Sequence, residues 1–262
     1  MSQMPATRPI LISVVMPAYN EEPTLRRSVQ AVLDKVSELG ELIVVNDGSR
    51  DRTGAIADQL AREDARVRVI HQPVNAGKTA ALKAGFAASR GEIVIVQDAD
   101  LEYDPAEIEL VVEPIRNGVA DVVYGSRFMV RKATRVLYFY HFLANSALTF
   151  MSNMFTNVNM TDVETCYKAF RGEIIRNMII TSSGFGFEIE VTAKIAKLRC
   201  RLYEVPISYY GRTYEEGKKI GFRDGLAAGW YILRYNLFCG IDASFTKLPK
   251  LEREPPGDDR PA

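Results

Sequence analysis

Short apolar runs alternate with amphipathic segments through the first half of the chain. The apolar runs are continuous, which is typical of strands buried on both faces of a sheet. The intervening segments space their apolar residues at helical intervals, and glycine or proline stands near many boundaries. Strands are predicted in 10–20, 41–49, 67–73, 92–100 and 120–128, and helices in 24–40, 53–64, 78–91 and 105–115, with Gly40 ending the first helix.

A strand repeatedly followed by a crossover helix predicts an α/β fold with a doubly wound, mostly parallel sheet and helices on both faces. The rhythm changes after residue 128, where an aromatic-rich stretch begins. We expect residues 1–9 to be a flexible N-terminus, and the polar, proline-containing residues 249–262 to be a disordered tail.

Composition places the chain among ordinary globular proteins. Its 262 residues, 47% hydrophobic and 25% charged, can bury a full core as one domain or as one domain with an appendage. Lys plus Arg and Asp plus Glu number 33 each, so no overall field attracts nucleic acid. The three cysteines form no CxxC pair, which favours a reducing compartment and argues against zinc. Without a signal-peptide pattern or an apolar run of about 18 residues, a cytoplasmic protein is expected.

The fourth predicted strand runs directly into four carboxylates. Asp98, Asp100 and Glu102 are spaced two apart, so on an extended chain they would project the same way at the carboxyl edge of the sheet. Like charges this close are unfavourable unless they are paired, and closely spaced oxygen ligands suit Mg²⁺ or Mn²⁺. For Asp104 and Pro105 the pattern favours a helix start with the aspartate as N-cap. The first three residues are therefore predicted metal ligands.

Three further polar loops follow predicted strands, at 17–22, 46–53 and 75–78. In a parallel sheet these loops gather at one edge and form a cleft. Asp47 can accept from the ring N–H groups of a nucleobase or close an Asx turn. Lys78 opens a helix whose free N–H groups suit a phosphate. The loops contain neither a Walker motif nor the G-x-G-x-x-G pattern of dinucleotide sites.

The segments PAYNE, VVNDGSRDRT, NAGKTAAL, DAD and YGSRF, in this order and spacing, resemble the inverting family-2 glycosyltransferases of GT-A fold. Within that family, the chain looks most like the polyprenyl-phosphate glycosyltransferases of the dolichol-phosphate mannosyltransferase type. The resemblance covers residues 10–225 and implies a nucleotide-sugar half in 10–128, an acceptor half in 129–225 and acceptor-side helices towards the C-terminus. It further implies a GDP- or UDP-hexose donor, Mg²⁺ or Mn²⁺, and a polyprenyl phosphate acceptor.

The resemblance assigns donor-side roles to the first motifs. Pro17, Tyr19 and Glu21 would line the nucleotide pocket, with Asp47 on the base and Lys78 near the phosphates. A proline that ends a strand and a tyrosine on the rim of a cleft are equally good alternatives for the first two residues.

The resemblance also assigns the acidic cluster. Asp98 would contact the ribose or the metal, and Asp100 would ligate the metal together with the diphosphate. Glu102 stands where the family often has glutamine, and Thr79 stands where the family commonly has glycine. The extra carboxylate can still bind the ion, while the threonine changes how closely the backbone approaches phosphate.

A lipid phosphate is mostly dianionic at neutral pH, because its second pKa lies near 6, and it hardly needs a general base. It needs cations, and Arg127, Arg135 and Arg212 are suited because a guanidinium binds phosphate through two N–H groups. Each can instead be a surface side chain or a structural ion pair. Asp162 lies in a segment resembling the family's acceptor site, where it can orient the nucleophile, act as base or cap a helix.

Two apolar stretches follow the predicted sheet. Residues 136–155 are rich in aromatic residues and methionine but are interrupted by asparagine and serine, as in a helix lying in the membrane interface. Residues 226–248 are predicted as an amphipathic helix that carries the only tryptophan, Trp230. Either stretch can lie on a membrane, in the core, or between two copies of the chain.

Taken with these patterns, the resemblance implies a metal-dependent inverting glycosyltransferase that moves a hexose from a nucleotide sugar to a polyprenyl phosphate at the inner face of a membrane. Transfer to a saccharide or protein hydroxyl is the alternative, and it requires a general base at Asp162 or Glu188. A non-catalytic nucleotide-binding membrane adaptor is a third reading. Asp98 and Asp100 argue against that reading, because a binding module has no need of a catalytic cation site.

Overall fold

A computed structural model describes four parts of the chain: residues 11–129, 138–184, 186–211 and 222–251. The predicted flexible N-terminus, 1–9, lies outside the described residues, and so does the predicted tail from residue 252 onwards. The described parts fold around one sheet, so the two predicted halves of the catalytic domain share a single sheet.

The sheet has seven strands. In chain order they are β1 (Ile12–Ala18), β2 (Leu39–Asn46), β3 (Val67–His71), β4 (Ile93–Val96), β5 (Val122–Ser126), β6 (Lys168–Arg171) and β7 (Leu202–Pro206). Their order across the sheet is β3-β2-β1-β4-β6-β5-β7. Neighbouring strands are parallel, except that β6 is antiparallel to both β4 and β5. The predicted doubly wound, mostly parallel sheet is confirmed, whereas the strands β6 and β7 were not predicted.

The helices connect these strands. They are α1 (Leu25–Lys35), α2 (Thr53–Glu63), α3 (Lys78–Ala88), α4 (Ile108–Arg116), α5 (Phe139–Thr156), α6 (Gly172–Asn177), α7 (Phe187–Leu198) and α8 (Phe222–Leu237), with a 3₁₀ turn at Pro105–Glu107. Helices cover both faces of the sheet, as β2 shows. Its residues Ile43 and Val45 pack with Ala81 of α3, while Leu42 and Val44 belong to the larger core that contains Val29 of α1.

Two boundary predictions have different outcomes. Gly40 does not end a helix: α1 ends at Lys35, the backbone of Val36 is extended, and Gly40 lies inside β2. The N-cap prediction is confirmed, because Asp104 Oδ1 accepts from Ala106 N at 3.0 Å and Pro105 opens the 3₁₀ turn. The Asp104 carboxylate also pairs with Lys35, the last residue of α1, at 2.7 Å. Asp104 is therefore a surface residue paired with a helix and is not part of the acidic cluster.

The aromatic-rich stretch is helical, as predicted, and packs with two other helices. Residues Val163, Ile189, Ala228 and Ile232 form a small core of their own, to which α5 adds partly buried side chains. The C-terminal helix α8 begins earlier than predicted and ends at Leu237. Within the described residues, no helix combines the length and hydropathy needed to cross a bilayer.

Gly85 of α3 provides a test of the packing between α3 and β1. A Cβ atom at Gly85 would lie 2.3 Å from Val15 Cγ1, whereas one at Gly229 of α8 would meet nothing within 4 Å. Both substitutions to alanine gain helix propensity, but only Gly85→Ala overpacks the core. We expect Gly85→Ala to lower the free energy of unfolding by about 1–2 kcal/mol and Gly229→Ala to leave it equal or higher. Urea unfolding of both variants measures this, and equal stabilities would contradict the packing described.

Candidate active site

The loops predicted to converge do meet at the carboxyl edge of the sheet. The loop after β1 contacts the loop after β2, since Asn20 N donates to Ser49 Oγ at 3.0 Å and Glu21 N donates to Thr53 Oγ1 at 2.8 Å. Asn75 Nδ2 in turn donates to Asp47 Oδ2 at 3.0 Å, which joins the loop after β3. The edge therefore forms one connected wall of a cleft.

Asp47 holds the loop before α3 in place. Only 2% of its surface is exposed, and its carboxylate accepts from Ala76 N at 2.9 Å and Gly77 N at 2.8 Å. The neighbouring residue closes this loop: Asn46 Oδ1 accepts from Ser49 N, three residues on, at 3.1 Å. A base contact by Asp47 stays a prediction, and such a contact would add to hydrogen bonds already present.

More of the N–H groups at the start of α3 are hydrogen-bonded within the protein than the sequence suggests. The N–H groups of Ala76 and Gly77 donate to Asp47, and Thr79 N donates to Gly184 O at 3.1 Å. The expectation that these N–H groups are free for phosphate is wrong for these three. Thr79, where the family commonly has glycine, also donates its hydroxyl to Gly184 O at 2.9 Å, so it fastens this helix start to the loop before α7.

Lys78 sits between two carboxylates from different parts of the chain. Its Nζ lies 3.0 Å from Asp98 Oδ2 and 3.3 Å from Glu188 Oε1, and its side chain is 17% exposed. Burial alone lowers the pKa of a lysine, but the negative charges of Asp98 and Glu188 outweigh it and hold the pKa of Lys78 well above its usual value. Lys78 is therefore a permanent cation that neutralises part of the acidic cluster.

The acidic cluster is not an extended strand end. β4 stops at Val96, and Leu101 has a φ of 66°, so the chain turns between Asp100 and Glu102. Asp100 Oδ1 accepts from Glu102 N at 3.1 Å, while Glu102 Oε2 accepts from Tyr209 Oη at 2.8 Å. The extended backbone expected for these three residues is wrong, because a left-handed turn at Leu101 lies between Asp100 and Glu102.

The donor set nevertheless fits a hard divalent cation. Asp98 and Asp100 are both partly exposed at the cleft, and carboxylate oxygens are the ligands that Mg²⁺ and Mn²⁺ prefer. Mg²⁺ is commonly bound by one or two carboxylates plus substrate phosphates. In the described part of the chain, no three Asp, Glu, His or Cys side chains group closely enough to hold a metal alone. The metal roles of Asp98, Asp100 and Glu102 stay predictions.

The residues predicted to line a nucleotide pocket lie at the first strand. Pro17 is in β1, opposite Val45 of β2, and both Pro17 and Tyr19 are partly exposed. Glu21 is 9% exposed and its Oε2 accepts from Thr24 Oγ1 at 2.7 Å, just before α1. Glu21 therefore supports the turn into α1, and its contact with a nucleotide stays a prediction.

On the acceptor side, Arg127 and Asp162 form one tight pair. Arg127 Nε lies 2.6 Å from Asp162 Oδ2 and Nη2 lies 2.7 Å from Asp162 Oδ1, while Asp162 is fully buried. Asn145 of α5 accepts from Arg127 Nη2 at 3.2 Å, and the guanidinium lies 5.1 Å from the ring centre of Tyr209. Asp162 therefore orients Arg127 and does not cap a helix. The other two predicted phosphate ligands, Arg135 and Arg212, lie outside the described residues.

Two ionisable residues near this pair were missed from the sequence. Burial and then the charge of Glu188 raise the pKa of Glu164 to about 7, and burial lowers the pKa of Lys168 to about 8. Lys168 is the first residue of β6, and because β6 runs antiparallel, its start lies at the carboxyl edge of β4 and β5. A four-residue strand containing lysine and arginine carries little strand signal. Only the resemblance of the segment around Asp162 to the family's acceptor site pointed to this region.

The seven-stranded sheet, with an acidic cluster at its carboxyl edge, has the arrangement expected for a glycosyltransferase of GT-A fold. The chain belongs to glycosyl transferase family 2, whose family model matches residues 13–179. It is an enzyme of the glycosyltransferase class, which confirms the resemblance noted in the sequence.

Several relatives share most of the chain. Undecaprenyl-phosphate mannosyltransferase of Micrococcus luteus is 33% identical over 247 residues, which cover 86% of this chain and 98% of the relative. Polyprenol monophosphomannose synthase of Mycolicibacterium smegmatis is 32% identical over 79% of this chain and 80% of its own length. Undecaprenyl-phosphate 4-deoxy-4-formamido-L-arabinose transferase of Aeromonas hydrophila is also 32% identical, over 79% of this chain and 62% of its own length.

A solved structure shows the same fold. Glucosyl-3-phosphoglycerate synthase from Mycobacterium tuberculosis, in complex with Mn²⁺, uridine diphosphate and phosphoglyceric acid, superposes with a TM-score of 0.68 at 22% identity. The match covers 88% of this chain and 79% of the synthase chain. The same synthase has also been crystallised with Mg²⁺ and uridine diphosphate. This likeness confirms the GT-A fold.

The pairing of Arg127 with Asp162 predicts a large effect on stability. Asp162→Asn leaves a mostly buried guanidinium without its charge partner, so we expect it to lower the free energy of unfolding by about 2–4 kcal/mol. The double variant Arg127→Met, Asp162→Asn removes both charges and should be more stable than Asp162→Asn alone. Asp64→Asn, which breaks an exposed pair with Arg66, is the control and should change stability little. If Asp162→Asn alone is as stable in urea as the wild-type protein, the pairing is contradicted.

Proposed function

We propose that this glycosyltransferase transfers a hexose from a GDP- or UDP-sugar to a polyprenyl phosphate, with inversion at the anomeric carbon. One observation carries the proposal: the acceptor-side cation and an exposed apolar face are adjacent. Arg127 is bonded to Asn145 of α5, and the neighbouring Phe128 ring lies 5.3 Å from that of Phe142 on the same helix. A ligand with a phosphate at one end and a hydrocarbon chain at the other fits such a surface.

The reaction forms a bond from a phosphate oxygen to the anomeric carbon and breaks the bond from that carbon to the nucleoside diphosphate. The leaving diphosphate keeps the electron pair, and attack from the opposite face inverts the carbon. Asp98 and Asp100 would hold Mg²⁺ or Mn²⁺, which when bound offsets the charge that develops on the leaving oxygen. Lys78 keeps Asp98 in place and adds a fixed positive charge on the donor side.

The acceptor side supports an acceptor that is already ionised. The general base that a hydroxyl acceptor requires was predicted at Asp162 or Glu188, yet Asp162 is bonded through both oxygens to Arg127, and Glu188 is paired with Lys78. A phosphate dianion needs no base, only a cation to dock it. The names of the relatives, which include undecaprenyl-phosphate and polyprenol transferases, support the same acceptor class.

Helix α5 presents its apolar side outwards. The residues it buries are Thr149 and Ser152, whereas Tyr140 is 79% exposed and Phe150 is 69% exposed. Aromatic and aliphatic side chains on the outer face of a helix are typical of helices that lie in a membrane interface. We therefore place the enzyme peripherally at the inner face of the membrane, where α5 would meet the lipid acceptor.

Metal removal and product partition test the proposed reaction. Purified protein is given labelled GDP-mannose or UDP-glucose, Mn²⁺ and undecaprenyl phosphate, and the labelled product is extracted into organic solvent. We expect transfer that EDTA abolishes and excess Mn²⁺ restores, and we expect Asp98→Asn, Asp100→Asn together to lower kcat at least about 100-fold, because the leaving charge loses its stabilisation.

The neighbouring Asp104 provides the control for that experiment. Asp104→Asn alters a carboxylate of the same loop that caps the 3₁₀ turn and pairs with Lys35, so transfer should persist. Labelled product found only in the aqueous phase would contradict the lipid acceptor. If Asp98→Asn, Asp100→Asn keeps full activity, the proposal that the acidic cluster binds a catalytic metal is wrong.

Vesicle binding tests the membrane face. Tyr140→Asp, Phe150→Asp places charge on the exposed side of α5, so we expect the variant to float with vesicles containing anionic lipid and undecaprenyl phosphate about 10-fold less than the wild-type protein. Val119→Asp changes an equally apolar exposed residue in the turn before β5 and should bind like wild type. Undiminished flotation of the α5 variant, or a dimer of the wild-type protein that the variant dissociates, would assign this face to something other than lipid.

A further inference from the structure

Among the residues that the structure describes, two buried carboxylate oxygens near Lys78 and the Arg127–Asp162 pair have no hydrogen-bond donor. Glu188 is 4% exposed; its Oε1 pairs with Lys78, while its Oε2 is shielded from solvent without a partner among the described residues. Glu164 Oε1 is likewise shielded from solvent and has no hydrogen-bond partner among the described residues. A buried acceptor left without a donor is unfavourable, so such atoms commonly mark a place where a ligand or an ordered group belongs.

The two carboxylates lie close enough to interact electrostatically. After burial, the charge of Glu188 is the strongest influence on the pKa of Glu164, and the charges of Arg127 and Asp162 act on it as well. Glu188 itself reaches the donor side through Lys78. Glu188 is therefore next to the donor-side lysine, and Glu164 stands two residues after Asp162 of the acceptor-side pair. A sugar whose anomeric carbon both sides reach has to pass close to these two residues.

The nearby cations do not satisfy these oxygens. Lys168 Nζ donates to the backbone carbonyl of Val163 at 3.0 Å and to that of Thr165, and it lies over the ring of Tyr124. The groups that fit a carboxylate oxygen without bringing a charge are hydroxyls, which a hexose carries in number.

We propose that Glu164 and Glu188 form the hydroxyl-binding floor of the donor-sugar site. Glu188 Oε2 and Glu164 Oε1 each accept a hydrogen bond from a hydroxyl of the hexose while the nucleotide is held elsewhere in the cleft. This inference rests on the proposed function and names two residues that recognise the hydroxyl groups of the sugar. It predicts that these two glutamates affect binding of a nucleotide sugar much more than binding of the same nucleoside diphosphate.

Calorimetric titration with matched ligands tests the inference. GDP-mannose and GDP, and UDP-glucose and UDP, are titrated with Mn²⁺ into the wild-type protein, and the pair it binds is used for Glu164→Gln and Glu188→Gln. We expect each variant to bind the nucleotide sugar about 10-fold more weakly, because a neutral amide replaces a charge-assisted acceptor. Kd for the diphosphate should change less than about 2-fold in Glu164→Gln. Glu188→Gln also loses the charge that holds Lys78, so in that variant both ligands should bind more weakly, the nucleotide sugar by the larger factor.

Glu190→Gln is the matched control, since Glu190 is a buried glutamate of the same helix. Its carboxylate accepts from Ser182 N at 2.7 Å and pairs with Lys194 at 2.5 Å, so its loss should change stability but not the ratio of the two dissociation constants. A wholly structural role of Glu164 or Glu188 would give the same result as this control.

Monodeoxy donors sharpen the test. At least one monodeoxy analogue should bind the wild-type protein about 10-fold more weakly than the parent sugar, and that difference should shrink in Glu164→Gln or Glu188→Gln. Unchanged ratios in both variants, or a ratio that falls equally in Glu190→Gln, would overturn the inference and leave the proposed function standing. A wild-type protein that binds the diphosphates but neither nucleotide sugar would overturn the proposed function and the inference with it.

Discussion

The pairing of Lys78 with Asp98 and Glu188 is the contact on which the rest of the site depends. It joins the start of α3, the loop after β4 and the start of α7, which are far apart in sequence. Carboxylates this close to one another would repel if the lysine were absent. With the lysine in place, the acidic cluster can persist in a partly buried cleft, and the donor-side loops are fixed relative to the acceptor-side helices.

Hydrogen bonds to backbone groups also hold the start of α3 against the loop before α7. Asp47 binds the N–H groups before α3, and Thr79 binds Gly184 before α7. Glu190 in turn accepts from Thr181 N and Ser182 N, so one turn of α7 holds the loop that holds α3. The donor-side wall is therefore rigid before any ligand arrives, which lowers the cost of ordering the groups that meet a substrate.

On the acceptor side, the contacts orient a single cation, Arg127. Arg127 is oriented by a carboxylate, an amide from α5 and the face of Tyr209, and Tyr209 also donates to Glu102. Acceptor cation and acidic loop are thus linked through one aromatic ring. Because α5 buries hydroxyl side chains and exposes aromatic ones, the helix that helps to hold the cation also carries the outer apolar face.

The sequence alone determined the parallel core and the loops of the cleft, because continuous apolar strands and the residues that follow them are local patterns. It also determined the family, through motifs such as the one around Asp98. It could not determine β6, whose four residues carry no periodic signal and whose place between β4 and β5 is set by long-range pairing. That antiparallel strand brings Glu164 into the cleft and sets Asp162 against Arg127. Which carboxylates were partners and which were left for a ligand was decided only by the tertiary structure, because charge pairing depends on distances between segments far apart in the chain.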